Sequence, residues 1–117
     1  RRQLARLRAR PEAEASTTAD TLEELSPTAL TVTLAAVSAA RELPDLRAAR
    51  AQEYGLVLWF AGTQSDLVEG IRAQLVDKDR DPHWNPSTLD AMAPDLAADA
   101  VAAAPTDPLW GVDRDAD

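Results

Sequence analysis

The sequence predicts a mostly α-helical chain, and three observations carry that expectation. Apolar residues recur at three- and four-residue spacing in several separate stretches, as they do along one buried helix face. Capping residues stand ahead of those stretches, with Ser26 before Pro27 and Ser65 or Asp66 before Leu67. Hydrophobic residues make up 45% of the 117 residues but aromatics only 4%, because alanine supplies much of the apolar count. Alanine buries little area, so a core built here gains less per residue than one rich in leucine and phenylalanine. The expected shortfall is relieved by docking on more protein.

Residues 1–10 read as a helix already in progress, with Leu4 and Leu7 three apart and no cap ahead of them. Together with the missing initiator methionine, this sets the expectation that Arg1 is not a native start. Pro11 ends the segment, and residues 11–19 are expected to be a polar connector of small residues. Asp20 followed by Glu23 fits the cap of a short helix. Ser26-Pro27 then opens a stronger helix over 27–42, in which Leu30, Leu34 and Val37 share a face. Thr28, Thr31, Thr33 and Val32 lend this stretch some strand character, which the unbroken alanine-rich continuation outweighs.

The next helix is expected over 45–60. It is amphipathic at first and apolar all round from Leu56 to Phe60, so its end needs cover on several sides. Glu53 stands on its apolar face as a half-buried carboxylate, with Arg50 or Arg72 as the expected partner, and Gly62 fits a helix stop. A helix over 65–78 follows, with Leu67, Ile71 and Leu75 as its core stripe. Glu69 is placed to complete a capping box, and Gly70 points to close approach of another backbone. Residues 85–117 are expected to form short helices at 87–92 and 94–103 and an acidic tail.

Charge and composition exclude several function classes. A net charge of −8 and a pI near 4.5 argue against nucleic acid as the main partner. No apolar run approaches a membrane span, and residues 1–10 lack the core of a signal peptide, so no membrane partner is expected and a cytoplasmic location is the default. With no cysteine and with His83 as the single histidine, no metal site is expected. Ser65 and His83 lack the Gly-x-Ser-x-Gly elbow of a hydrolase triad, and the four glycines are too scattered to cradle a phosphate. The run Asp77-Lys78-Asp79-Arg80-Asp81 has the composition of a solvated face, although Lys78 and Arg80 can also bind a phosphorylated ligand.

Three segments carry a resemblance. They are Ser26-Pro27-Thr28-Ala29-Leu30-Thr31-Val32-Thr33-Leu34, then Gln52-Glu53-Tyr54, then Glu69-Gly70-Ile71-Arg72-Ala73 through Asp77-Lys78-Asp79-Arg80 and Pro82-His83-Trp84-Asn85-Pro86. In this order and spacing they resemble the C-terminal part of the 3-hydroxyisobutyryl-CoA hydrolase branch of the crotonase (enoyl-CoA hydratase/isomerase) superfamily. Leu67 departs from the phenylalanine usual after the aspartate.

The resemblance implies that residues 1–117 are the C-terminal helical region of a crotonase-like α/β enzyme, with residues 20–84 as its matched helices and turn. The ββα spiral core, which brings the oxyanion hole and the catalytic carboxylates, is then expected outside this chain, as a separate chain or a missing region. No catalytic residue is expected within it. Lys78 is the first candidate to approach the nucleotide end of coenzyme A, with Arg72 and Arg80 behind it. The implied substrate is an acyl-CoA thioester, with coenzyme A as carrier and no other cofactor, and the implied assembly is a homo-oligomer. Two alternatives accompany this reading, an enoyl-CoA hydratase or isomerase of the same superfamily and a non-catalytic helical interaction module.

Overall fold

In the computed structural model, which describes residues 2–110, six α-helices follow one another with no strand among the described residues. They are α1 (Arg2–Arg8), α2 (Ala13–Glu24), α3 (Pro27–Ala40), α4 (Leu46–Thr63), α5 (Asp66–Ile71) and α6 (Leu96–Ala102). A π-helical turn (Arg72–Val76) extends α5, and a 3-10 turn (Leu89–Ala91) precedes α6. Arg1 and residues 111–117, including the end of the expected acidic tail, lie outside the described residues.

The caps decide where the two longest helices begin. The Ser26 hydroxyl accepts from Ala29 N–H at 3.1 Å with Pro27 at the first helical position, and the Asp45 carboxylate accepts from Ala48 N–H at 2.8 Å. α3 packs on α6 and on the 3-10 turn, while α4 packs on α6 and α5. The α4–α6 contact is a close backbone approach, because a Cβ built on buried Gly55 would stand 3.0 Å from the Ala103 carbonyl oxygen. Gly55→Ala is therefore expected to destabilise the fold by about 1–3 kcal/mol. A urea titration comparing midpoints checks it, and an unchanged midpoint would contradict the close approach.

Several expectations are corrected here. Helix α2 occupies the expected connector at 11–19, because Ala13 is a strong helix former and Ala15 and Ala19, four residues apart, both bury. Thr17 and Thr21 are accommodated inside it by donating their hydroxyls to the carbonyls of Ala13 and Thr17. Asp20 caps nothing; with Glu23 it pairs with Arg8 and ties α2 to α1. α4 runs through Gly62 to Thr63, held by Gln64 N–H on the Phe60 carbonyl and by the Thr63 hydroxyl on the Trp59 carbonyl. Glu53 is exposed and pairs with Arg50 at 3.0 Å, within the expected choice of partners but without the expected burial.

The helix expected over 65–78 divides into two. α5 stops at Ile71, and the backbone widens so that Asp77 N–H reaches the Arg72 carbonyl at 2.8 Å. Gly70 faces a ring rather than a backbone, since a Cβ there would lie 3.3 Å from the Trp84 indole. That indole is fixed by its Nε1–H, which donates to the Glu24 carbonyl at 2.9 Å.

Much apolar surface remains uncovered. Besides Pro27, the buried apolar side chains among the described residues are Ala15, Ala19, Val32, Ala73 and Ala100, and only one of these is larger than alanine. Leu34, Val37, Leu67, Ile71 and Leu75 are all exposed. The radius of gyration is 16.9 Å, against roughly 13–14 Å for a compact domain of this length.

Candidate functional site

Two nodes fix the stretch from Asp66 to Trp84. At the first, the buried Asp66 carboxylate, 5% exposed, accepts from the Ser26 hydroxyl and, at 2.8 Å, from Asn85 N–H. One side chain thereby joins the start of α3, the start of α5 and the extended segment after the turn. Neither expected cap forms at α5, because Ser65 bonds no backbone amide through its side chain and Asp66 is turned to this latch. Ser26 serves both purposes, donating to Asp66 and accepting from Ala29 N–H.

At the second node, Arg72 takes Glu69 in a two-pronged pair at 2.9 and 2.7 Å, then Asp77 at 2.8 Å and Asp79 at 2.7 Å. It also donates to the Asp81 carbonyl at 3.1 Å. The capping box expected of Glu69 does not form. Its carboxylate faces the turn and accepts from His83 N–H at 2.8 Å. The planar guanidinium fork makes this convergence possible; a lysine ammonium has no such geometry.

The electrostatics follow from the pairing. Hydrogen bonds from Arg72, then from His83 N–H, hold the Glu69 carboxyl down to about 2, against an ordinary 4.5. Asp79 is lowered by Arg72 and then by Asp81 N–H, and Arg72 is raised by Glu69, Asp79 and Asp77 in that order. Because the folded value of Glu69 lies below its ordinary one, its contribution to stability is complete above about pH 4.5. It is lost as pH falls toward about 2. A carbon-detected NMR titration of Glu69 is expected to give a midpoint near 2, and a midpoint at the ordinary value would contradict the clamp.

The three residues singled out for coenzyme A contact fall into two groups. The guanidinium of Arg72 is already engaged by two nearby carboxylates and a backbone carbonyl in addition to Glu69. Lys78 and Arg80 are exposed, and both adopt left-handed backbone conformations, with φ of 56° and 54°. Such values are uncommon for non-glycine residues and are sustained where the surroundings determine them. Arg80 N–H closes the turn on the Ala73 carbonyl at 3.0 Å. His83 is exposed, its Nε2 3.8 Å from Asp81. Among the described residues no three His, Asp or Glu side chains are grouped to hold a metal.

Beside the nodes runs an open apolar groove of about 950 Å³ between α3 and α5, lined by Leu30, Leu34, Ile71 and Leu75 and floored by Ser26, Asp66 and Trp84. It shares Val37, Phe60 and Leu67 with a second apolar groove of about 480 Å³ between α3 and α4. No helix among the described residues is long and apolar enough to cross a membrane.

The described residues thus combine a closed, charge-paired turn with a long uncovered apolar face. The enoyl-CoA hydratase/isomerase family model matches residues 2–101, and the chain belongs to that family. It is 36% identical over 76 residues to the mitochondrial 3-hydroxyisobutyryl-CoA hydrolase of Dictyostelium discoideum, covering 65% of this chain and 20% of that protein. It is 37% identical over 95 residues to the mitochondrial 3-hydroxyisobutyryl-CoA hydrolase-like protein 1 of Arabidopsis thaliana, covering 79% and 23%. Against the mitochondrial 3-hydroxyisobutyryl-CoA hydrolase of Danio rerio the identity is 38% over 71 residues, covering 61% and 18%. The chain thus spans about one fifth of the length of these relatives. No solved structure matches it significantly.

Proposed function

We propose that this chain is the helical part of an acyl-CoA thioester hydrolase acting on 3-hydroxyisobutyryl-CoA or a close β-hydroxyacyl thioester. The observation that carries the reading is the uncovered groove from Leu30 to Leu75, which lies within residues 2–101 matched by the family model. Its natural cover is the spiral core of the same enzyme, on the same chain or a separate one. In that assembly the helical part forms wall, lid and subunit interface, and the complete enzyme is a homo-oligomer.

The chemistry belongs to the core. Backbone amides there stabilise the oxyanion of the attacked thioester, and a carboxylate assists attack and manages protons. This chain contributes no catalytic residue and calls for no cofactor beyond the coenzyme A carried by the substrate. Lys78 and Arg80 offer a point charge and a fork to the carrier's phosphates. The compartment belongs to the proposal as well. A cytoplasmic location is the default expectation, whereas the relatives named above are mitochondrial, and fractionation of the complete enzyme separates the two.

The test incubates the complete enzyme with 3-hydroxyisobutyryl-CoA and, separately, with an enoyl-CoA. Release of free thiol from the hydroxyacyl ester is the expected result. Loss of enoyl absorbance without free thiol would overturn hydrolysis in favour of hydration, and inactivity toward both would leave a helical interaction module.

A further inference from the structure

The five-residue run Asp77–Asp81 alternates acid and base, and the structure turns two of its three carboxylates away onto Arg72, leaving that of Asp81 exposed beside His83. Asp77 and Asp79 converge on Arg72, which also takes the Asp81 carbonyl. Lys78 and Arg80 are left exposed between them with left-handed backbone. Arg72 is in turn held in register by the two-pronged Glu69, whose carboxylate also fixes His83 N–H on the far side of the turn. The widened helical end at Arg72–Val76 supplies the backbone course, with Asp77 N–H on the Arg72 carbonyl.

We infer that Arg72 is a positioning residue: by drawing the Asp77 and Asp79 carboxylates onto itself, it presents Lys78 and Arg80 as an exposed cation pair for the phosphates at the nucleotide end of coenzyme A. The inference rests on the acyl-CoA reading above and assigns Arg72 a different role from its neighbours. It binds no phosphate itself. Were the carboxylates of Asp77 and Asp79 released, they would stand beside Lys78 and Arg80 and compete with a phosphate for them. An acidic chain gains most from such sorting, since its net charge of −8 otherwise repels an anionic ligand.

The test compares kcat/KM for an acyl-CoA ester with that for the same acyl ester of pantetheine, which lacks the nucleotide phosphates, in the complete enzyme. The ratio reports the phosphate contact alone. Arg72→Met is expected to lower the ratio roughly tenfold, as loss of two exposed ionic contacts would, and Arg72→Lys to lower it less. In a Lys78→Ala/Arg80→Ala background the ratio is already low, and Arg72→Met is expected to change it no further. Should Arg72→Met fail to fold, Arg72→Lys in the two backgrounds gives the same comparison.

An equal loss on both esters, with the ratio unchanged, would make Arg72 a stability residue only and overturn the inference. So would a further fall of the ratio in the double-alanine background. A wild-type enzyme that hydrolyses both esters equally well would remove the phosphate contact itself, and with it the reading of Lys78 and Arg80. That outcome is distinct from a wild type with no thioesterase activity, which overturns the function proposed above.

Discussion

Leu75→Asp is expected to destabilise the complete enzyme by about 3–5 kcal/mol, the cost of an unpartnered carboxylate in a covered apolar face. Leu75 sits in the widened turn after α5, is 69% exposed in this chain and lines the larger groove. On a free-standing helical module the same substitution falls on open surface and costs within about 0.5 kcal/mol. Leu46→Asp is the internal control. Leu46 is as exposed, at 71%, but stands at the start of α4 away from both apolar grooves. Guanidinium unfolding of the two variants checks the prediction. A large loss for Leu75→Asp beside a small one for Leu46→Asp is the expected pattern, and equal small losses would contradict docking through the groove.

Asp66→Ala is expected to cost about 2–4 kcal/mol, because it strands two donors that charge-assisted hydrogen bonds now satisfy. Those donors are the Ser26 hydroxyl and Asn85 N–H, one from the start of α3 and the other from beyond the turn. Alanine offers neither an acceptor, whereas Asp66→Asn keeps one and is expected to lose roughly half as much. Urea midpoints of the two variants give the order. A loss within about 0.5 kcal/mol for alanine, the range of an ordinary surface substitution, would mean that the latch holds nothing together.

The two longest helices were readable because their signals are local. Ser26 and Pro27 mark the start of α3 within one turn, and the apolar spacing from Leu46 to Phe60 marks most of α4. Helix α2 was hidden by Pro11 and by threonines that read as a connector, since the burial of Ala15 and Ala19 depends on tertiary packing that no local pattern shows. Leu67, Ile71 and Leu75 were expected to be a core stripe, and all three are exposed instead. Leu67, Ile71 and Leu75 face an open groove, and a chain of this composition holds little else to bury them.

The wiring of the charged turn was not legible in the sequence. Arg72 opens the π-helical turn, and Lys78 and Arg80 follow its end. That Arg72 gathers the acidic side chains while its neighbours adopt positive φ has no periodic signature. Asp66 was read as a cap because its partner Ser26 lies forty residues away, beyond any local pattern. Gly70 did announce a close approach, but the object is the Trp84 ring, and the backbone approach falls at Gly55 instead.

On the function proposed above, this helical segment is built to be covered by the rest of an acyl-CoA enzyme. A circular dichroism melt of residues 1–117 on their own tests it most directly. A broad, weakly cooperative transition is expected, because the buried apolar set is almost entirely alanine and the larger side chains line open grooves. A sharp two-state transition would show that the segment completes its own core, and would contradict the account.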